Sequence, residues 1–551
     1  MAITGIALLV LRQRTANFLG DLSVDFSDLP AVLRSDFRKH LVEEPAFVKV
    51  WLLACLVIGA VVRVRYMNAP LQYDEAEWAF LAEQPFFVSL TTQRIALHNL
   101  PIAAIGISIR IFGTEPWAIR LPTSIAGLAL IPALYLAAQS LFDRWTAITA
   151  TAVVSVSWPL VAFSVIGRGY AFGNLFFVMM LVLVPSIVHQ ANRGAMAAFG
   201  VFSALAIYSV QSMVFAHVSG LIFMIALAIA HKRIAWNRHG ARQIATMLGI
   251  PSIVCGIFVL VFFSPLLLAH GINGLATTTD HISGHTGFTV AAAHVIDTVY
   301  DQWGLDVPVF SKVLFLGACL AGMTLNRRAA LLMVATAIGI SFGLLLIGSK
   351  LPSPRIWQFA LPVFAMAAGA GVSAVLSLAR HVKLPSIAEA LTGALIALSL
   401  AGTGWSELSG DTIIRKVEGR LMPIHIEAAR KLAAYLQNGD LLAETSLGGP
   451  AFQYYLAREL REKNQRLKFE QGSRVWLVCD ISAACLPIPR SLRLFVETRN
   501  PGWPKAVSTA EVILDERVKH DPAAFGVPLP LPESPLAPIL KFDLVPDFGQ
   551  R

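Results

Sequence analysis

The chain is 551 residues long, 56% apolar and 14% charged, with a formal net charge of +9 and a mean hydropathy of +0.63. A soluble protein carries roughly 25% charged residues, so a soluble enzyme and a disordered tether are both excluded for want of polar surface. What remains is a polytopic membrane protein.

Charge is unevenly spread. Residues 404–551 hold 19 basic and 18 acidic residues in 148 positions, whereas the preceding 403 residues are far poorer in charge. The sequence therefore predicts an α-helical membrane protein with a C-terminal soluble α/β domain. Its expected parts are a cytoplasmic or interfacial segment (1–47), a transmembrane domain (48–403) and an extracytoplasmic domain (404–551). The positive charge belongs mostly to the membrane part and reads as a topology signal, not a nucleic-acid footprint.

Taken in chain order, residues 1–11 are apolar but too short to span, and Arg12 and Arg14 follow the apolar run, the reverse of a secretory signal. A membrane-crossing helix needs roughly 20 apolar residues. Segments of that kind lie at 48–64, 121–142, 146–166, 170–191, 196–212, 214–230, 244–268, 312–325, 329–348, 356–378 and 386–403, about eleven spans by that length rule. Between them, alternate connections carry Arg144, Arg193, the run His231 to Arg242, Arg327–Arg328 and Arg380 to Lys383. With the N-terminus inside, these share one face, which the positive-inside rule makes cytoplasmic. The opposite face receives a first loop at about 67–120, a second at about 269–311, and the tail.

The first outer loop is the richest in polar chemistry. Asp74, Glu75, Glu77, Glu83 and Glu115 accompany Arg94, His98, Arg110 and Arg120. Asp74 followed by Glu77 has the spacing of a helix-capping box, with acidic residues favoured at the positive end of a helix; a capping carboxylate is also a rigidly placed one. Further on, Ser164, Arg168 and Tyr170 stand at the outer end of the third span, where an arginine is costly unless it snorkels or meets an anion. Lys350 and Arg355 add two cations at the same level. The proposed spans themselves hold few charges, which argues against an ion-coupled transporter.

In the second outer loop, His270, Asp280, His281, His285 and His294 suggest a metal by number only. Gly284 and Gly287 disfavour the helix that would align two ligands, and no third is fixed by spacing. Asp297, Tyr300, Asp301 and Trp303 have the character of sugar-contacting residues. Cys55, Cys255 and Cys319 fall within apolar spans; Cys479 and Cys485, six apart in the tail, are either a disulfide or two buried thiols. In the tail, helices are expected at His425 to Gln437 and Pro450 to Glu459, strands at Leu441 to Glu444 and Arg474 to Val478, and an extended terminus from 500. There is no nucleotide-binding fingerprint.

This pattern resembles the GT-C fold glycosyltransferases, in particular the dolichyl-phosphate-mannose protein mannosyltransferase-like group that includes bacterial aminoarabinose transferases. The resemblance covers about 50–403. It rests on Asp74–Glu75, on His98-x-x-Pro101 through Phe112-Gly113 to Ala118-x-Arg120-Leu-Pro122-x-Ser124, on Ser164…Arg168-x-Tyr170, and on Pro354-Arg355…Pro362. The sequence departs from the family at His98-Asn99-Leu-Pro101, where H-P-P-L is commoner, and at Gly169, where a bulkier residue is usual.

What the resemblance implies is inverting transfer of a sugar from a polyprenyl-phosphate carrier to an acceptor hydroxyl of a lipid, polysaccharide or protein, at a periplasm-facing site in the cell envelope. Asp74 would be the general base, with Glu75 beside it as a supporting or acceptor-binding group. Arg168 and Arg355 would hold the donor phosphate, backed by Lys350, Arg94 and His98, while Arg120, Tyr170 and Glu77 shape the loops. The early aspartate and the two arginines are expected to converge. No metal is required, although the chemistry leaves room for a divalent ion; no cofactor and no nucleic acid is expected. The alternatives are a lipid or glycan flippase, which would show charges deep in its spans, and an O-antigen ligase or polymerase, which centres its chemistry on a late loop.

Overall fold

The computed structural model describes residues 42–91, 98–234, 237–277, 309–347, 354–381 and 385–409, then 429–430, 432–434, 440–444, 449–462, 474–480, 493–499 and 507–514, with four isolated positions before 42. The helices run in the order α1 (Ala46–Met67), α2 (Tyr73–Glu83), α3 (Phe86–Thr91), α4 (Asn99–Phe112), α5 (Pro116–Leu141), α6 (Arg144–Val156), α7 (Trp158–Ala162) and α8 (Tyr170–Gln190). They continue with α9 (Arg193–Ser209), α10 (Val214–Ala230), α11 (Arg238–Thr277), α12 (Val309–Leu325), α13 (Arg327–Ile347), α14 (Ala360–His381) and α15 (Pro385–Ser409). Beyond these lie β1 (Asp440–Glu444), α16 (Gly449–Glu462), β2 (Arg474–Asp480), β3 (Arg493–Arg499) and β4 (Val507–Leu514). Short 3-10 turns stand at Gln211–Met213 and Pro354–Trp357.

A helix occupies every segment expected to span, but not every one is a full crossing. Among the described residues, seven helices are long and apolar enough, and eight if the bent pair α12–α13 is one span. The expectation of about eleven needs that correction, for local reasons. The segment 146–166 is broken because Pro159 has no N–H to give to Ser155 O and its ring would clash with that carbonyl in a continuous helix; α6 stops at Val156 with Ser157 extended, and α7 starts anew with the proline in its first turn. The segment 196–212 is a helix of only 17 residues. Between 312 and 348 the chain turns by 108° with no intervening loop; Asn326 makes this elbow by accepting the backbone N–H of Arg328 at 3.0 Å and Ala329 at 3.3 Å.

The apolar surface fits lipid. Phe47, Val50, Leu53, Val57, Val61 and Val64 form an exposed stripe on α1, and Leu391, Leu395, Leu398 and Trp405 another on α15; such patches would be a liability in water and are at home in hydrocarbon. Inside, small residues bring helix backbones together, as expected where no hydrophobic effect drives association. A Cβ added to Gly322 would sit 1.9 Å from Ala367 O, and one on Gly371 1.9 Å from Ala318 O, so α12 and α14 meet backbone to backbone. The protein is an integral membrane protein.

The connections predicted to share one face do gather at one end of the bundle. Arg144 pairs with the buried Glu44 at 2.8 Å, Arg328 donates to Leu141 O at 2.7 Å, and His189 lies edge-on to His231 with ring centroids 5.4 Å apart. Burial first, and then Arg328, Arg233 and Arg327, hold the His231 imidazole below the usual histidine range.

The chain divides into two compact units: 1–67, 85–113 and 117–413 in the first, and 68–84, 114–116 and 414–551 in the second. In the second, the sheet order is β1-β2-β4-β3, with β1 and β2 parallel and the other pairs antiparallel. The strands at 441–444 and 474–478 and the helix at 450–459 agree with expectation; β4 corrects the extended terminus expected from residue 500. The helix proposed over His425 to Gln437 lies mostly outside the described residues, as do Cys485 and the segment 1–26.

Candidate functional site

At the end of the bundle away from the basic connections, the backbone between α7 and α8 is a tight loop, Phe163 to Gly169. It is locked from below by Arg63, which is 1% exposed. Arg63 Nε donates to Ser164 Oγ at 2.8 Å, and Nη1 to Gly59 O at 2.9 Å and Ser155 O at 3.2 Å. Ser124 Oγ donates to Ser164 O at 2.9 Å. Two of the motif serines are thus scaffold. Arg63 itself escaped the sequence reading; its only signal was a cation in the last turn of a predicted span.

This loop presents Arg168, 4% exposed, directly ahead of the N-terminus of α8, where the helix dipole adds positive potential. Gly169 is pressed onto the end of α9: a Cβ there would lie 1.9 Å from Ser209 O. The departure from the family's bulkier residue therefore has a steric cause. His98, at the N-cap of α4, completes the contact, with Nδ1 3.2 Å from both Gly169 N and Ser209 O. A single Nδ1 accepts the Gly169 N–H or, when protonated, donates to Ser209 O, so the imidazole tautomer decides which of the two contacts is a hydrogen bond. Tyr170 packs edge-on to His98 (5.6 Å) and Phe163 (4.9 Å).

Arg355, half-buried, stands on the 3-10 turn Pro354–Trp357. That turn is fixed by Trp357 against Phe215 at 5.7 Å and by Phe359 against Phe177 at 5.3 Å, so it joins the same layer of α8 and α10. Arg120 has another task. It is fully buried, and its Nη1 donates to Tyr66 O at 2.9 Å and Met67 O at 3.1 Å, satisfying the last carbonyls of α1. Arg94 and Lys350 lie outside the described residues, as do Asp280, His281, His285, His294, Asp297, Tyr300, Asp301 and Trp303. His270 is described and meets Thr91 O at 2.8 Å. Among the described residues no group of three metal-ligating side chains occurs.

The carboxylates belong to the second unit, described by itself. Here α2 starts earlier than the spacing suggested. Its N-cap is Gln72, not Asp74, and Glu75 rather than Glu77 closes the turn, accepting the Gln72 N–H at 3.2 Å. Glu75 is fully buried by this capping, whereas Asp74 and Glu77 are half-buried. The start of α2 is held from far along the chain. Tyr455 OH accepts the Leu71 N–H at 2.9 Å, Tyr454 meets the Phe80 ring at 5.4 Å and donates to Thr114 O at 2.8 Å, and Arg458 grips Glu115 at 2.5 and 3.1 Å. Asp74 therefore sits in the first turn of a helix packed on α16.

Within the first unit, a cavity of about 540 Å³ runs between α6, α12, α14 and α15. Its walls are apolar, Val153, Val156, Leu316, Val372 and Leu395 among them, and Lys312 is the one charged residue among the described ones that line it.

Comparison with known proteins places this architecture. Residues 100–268 match the family model described as dolichyl-phosphate-mannose-protein mannosyltransferase. ArnT from Cupriavidus metallidurans in its apo state is similar with a TM-score of 0.57 at 13% identity, over 85% of this chain and 98% of that one. The chain has the GT-C glycosyltransferase fold. The same ArnT bound to undecaprenyl phosphate is similar with a TM-score of 0.55 at 14% identity, over the same shares of the two chains. No curated protein matches the sequence. The resemblance drawn from the motifs thus holds for the GT-C backbone, and the family match contains Arg120, Ser124, Ser164, Arg168 and Tyr170 but neither Asp74 nor Arg355.

Proposed function

We propose that the protein is a membrane glycosyltransferase that moves a sugar from a polyprenyl-phosphate donor to an acceptor hydroxyl, with inversion. The observation that carries this reading is the placement of Arg168: a guanidinium 4% exposed, at the head of an apolar helix, in a loop anchored by His98, Ser124 and Arg63. Burying a cation at that depth is costly, and a phosphate held at the level of the helix end offsets the cost through charge-assisted hydrogen bonds. The undecaprenyl phosphate held by the ArnT of the same fold supports a lipid-linked donor. The apolar cavity beside Lys312 supports a long hydrocarbon chain.

In this reading the acceptor oxygen attacks the anomeric carbon on the face opposite the phosphate. The bond from that carbon to the phosphate oxygen breaks, its electron pair leaves with the polyprenyl phosphate, and the acceptor proton passes to Asp74 as general base. Arg168 and Arg355 stabilise the charge growing on the leaving phosphate. Glu75, His98, Lys350 and Arg94 assist, and no metal is required by the step. The site and the C-terminal unit face the outside of a bacterial cytoplasmic membrane. The acceptor is a lipid, polysaccharide or protein.

The test is mass spectrometry of envelope lipids and glycans from cells with and without the gene, paired with the purified protein and polyprenyl-phosphate sugars. One missing glycan, and release of polyprenyl phosphate by the protein, are expected. An unchanged glycome together with no turnover of any lipid-linked sugar would overturn the proposal.

A further inference from the structure

Several buried polar side-chain atoms of the first unit have no hydrogen-bond partner, and three of them, Ser212 Oγ, Trp357 Nε1 and Gln358 Oε1, come from two turns that pack on α8 and α10. Their residues are 2%, 0% and 1% exposed. Buried polar groups in proteins are nearly always paired, and each exception needs a reason. Here the segments that carry three exceptions pack on the same two helices, α8 and α10. Ser212 belongs to the turn Gln211–Met213, whose Met213 packs so closely on α8 that a Cβ on Gly173 would lie 2.6 Å from its Cε. Trp357 packs on Phe215, three residues after Ser212, and Phe359, next to Gln358, packs on Phe177 of α8. The same layer is bounded by the two arginines assigned above to the donor: Arg168 enters it through the Gly169–Ser209 contact, and Arg355 is two residues from Trp357.

The chemistry of the three atoms restricts what they can hold. An indole N–H only donates, an amide oxygen only accepts, and a hydroxyl does both. A phosphate group, all acceptors, would satisfy Trp357 and Ser212 and leave Gln358 Oε1 unpaired. A ring bearing several hydroxyls satisfies all three. Sites built to bond a substrate hydroxyl also reject analogues that lack it strongly, because the protein groups are then stranded.

We infer that Ser212, Trp357 and Gln358 form the subsite that reads the hydroxyls of the donor sugar, next to the arginines that hold its phosphate. The inference rests on the glycosyltransferase reading and goes beyond it by assigning sugar specificity to two 3-10 turns on either side of α10 and α13, not to the acidic loop.

The experiment uses the full chain in nanodiscs and three variants that remove the polar atom, Ser212→Ala, Trp357→Phe and Gln358→Met. Each is compared with wild type in thermal stability, in binding undecaprenyl phosphate without sugar, and in KM for a panel of undecaprenyl-phosphate sugars differing in single hydroxyls. The expected result is an unchanged or raised Tm for Ser212→Ala and Gln358→Met, since a stranded polar atom has been removed, whereas Trp357→Phe also leaves a cavity and lowers Tm. Affinity for undecaprenyl phosphate stays the same, KM for the preferred donor rises about tenfold for one lost hydrogen bond, and discrimination between epimers weakens. A lowered Tm in all three, an equal loss of undecaprenyl phosphate affinity, or an unchanged donor KM and selectivity would each overturn it. Failure of wild type to turn over any donor in the panel removes the glycosyltransferase reading itself, and this inference with it, before a variant is compared.

Discussion

The two compact units differ in how they serve their most buried charged groups. In the membrane unit, Arg63 and Arg120 are buried and give their protons to backbone and serine oxygens. The second unit uses side-chain carboxylates: Glu75 caps its own helix, and Glu115 takes a two-pronged bond from the partly exposed Arg458. The difference follows from the solvent. In a low-dielectric interior a full ion pair carries a desolvation cost for both partners, whereas carbonyls at helix ends are present in any case and need donors. Within the described residues of the membrane unit, Arg63 and Arg120 are served by such oxygens in the bundle core, and Arg144 pairs with Glu44 at its basic end.

That contrast can be broken directly. Asp74→Asn should have the largest effect, lowering turnover by roughly 10²–10⁴-fold with Tm and undecaprenyl phosphate affinity unchanged; Arg168→Gln should instead weaken binding of the same lipid by about 10–100-fold. Titrating both variants with the lipid and timing sugar transfer separates the two, and a loss of lipid affinity in Asp74→Asn would erase the distinction between the units. Next in size, Arg63→Met should destabilise the membrane unit by about 3 kcal/mol through loss of several charged hydrogen bonds, read as a lower Tm in detergent; a stable variant would show that the 163–169 loop is held by other means. The smallest change is expected from Tyr455→Phe. It strands the buried Leu71 N–H at a cost of about 1–2 kcal/mol, so hydrogen exchange at the start of α2 should quicken while exchange in α8 stays the same.

Some of the site was readable residue by residue and some was not. His98, Arg168 and Tyr170 were singled out from the sequence, and the structure packs His98 on Tyr170 and against the Gly169 backbone that follows Arg168. The capping box was read two positions out of register: Asp74 to Glu77 and Gln72 to Glu75 have the same spacing, and only the burial of Glu75 decides between them. Arg120 looked like a loop residue and is the cap of α1, because the carbonyls it serves are more than fifty residues away. Ser212 falls at the boundary between the segments 196–212 and 214–230 and gave no further signal, and Gln358 gave none, since a single glutamine beside an aromatic residue has no periodicity to detect.

The sequence by itself determined the solvent of this protein, the positions of its helices and the end of the bundle where basic residues gather, because run length, apolar content and charge placement are local quantities set by the thickness and dielectric of a bilayer. Tertiary structure alone decided that residues 68–84 join the C-terminal unit through Tyr455 and Tyr454, that α12 and α13 form one elbow, and that polar atoms from two distant turns share a layer with Arg168. Those outcomes depend on which surfaces fit one another across hundreds of residues, and shape complementarity leaves no pattern within any single segment.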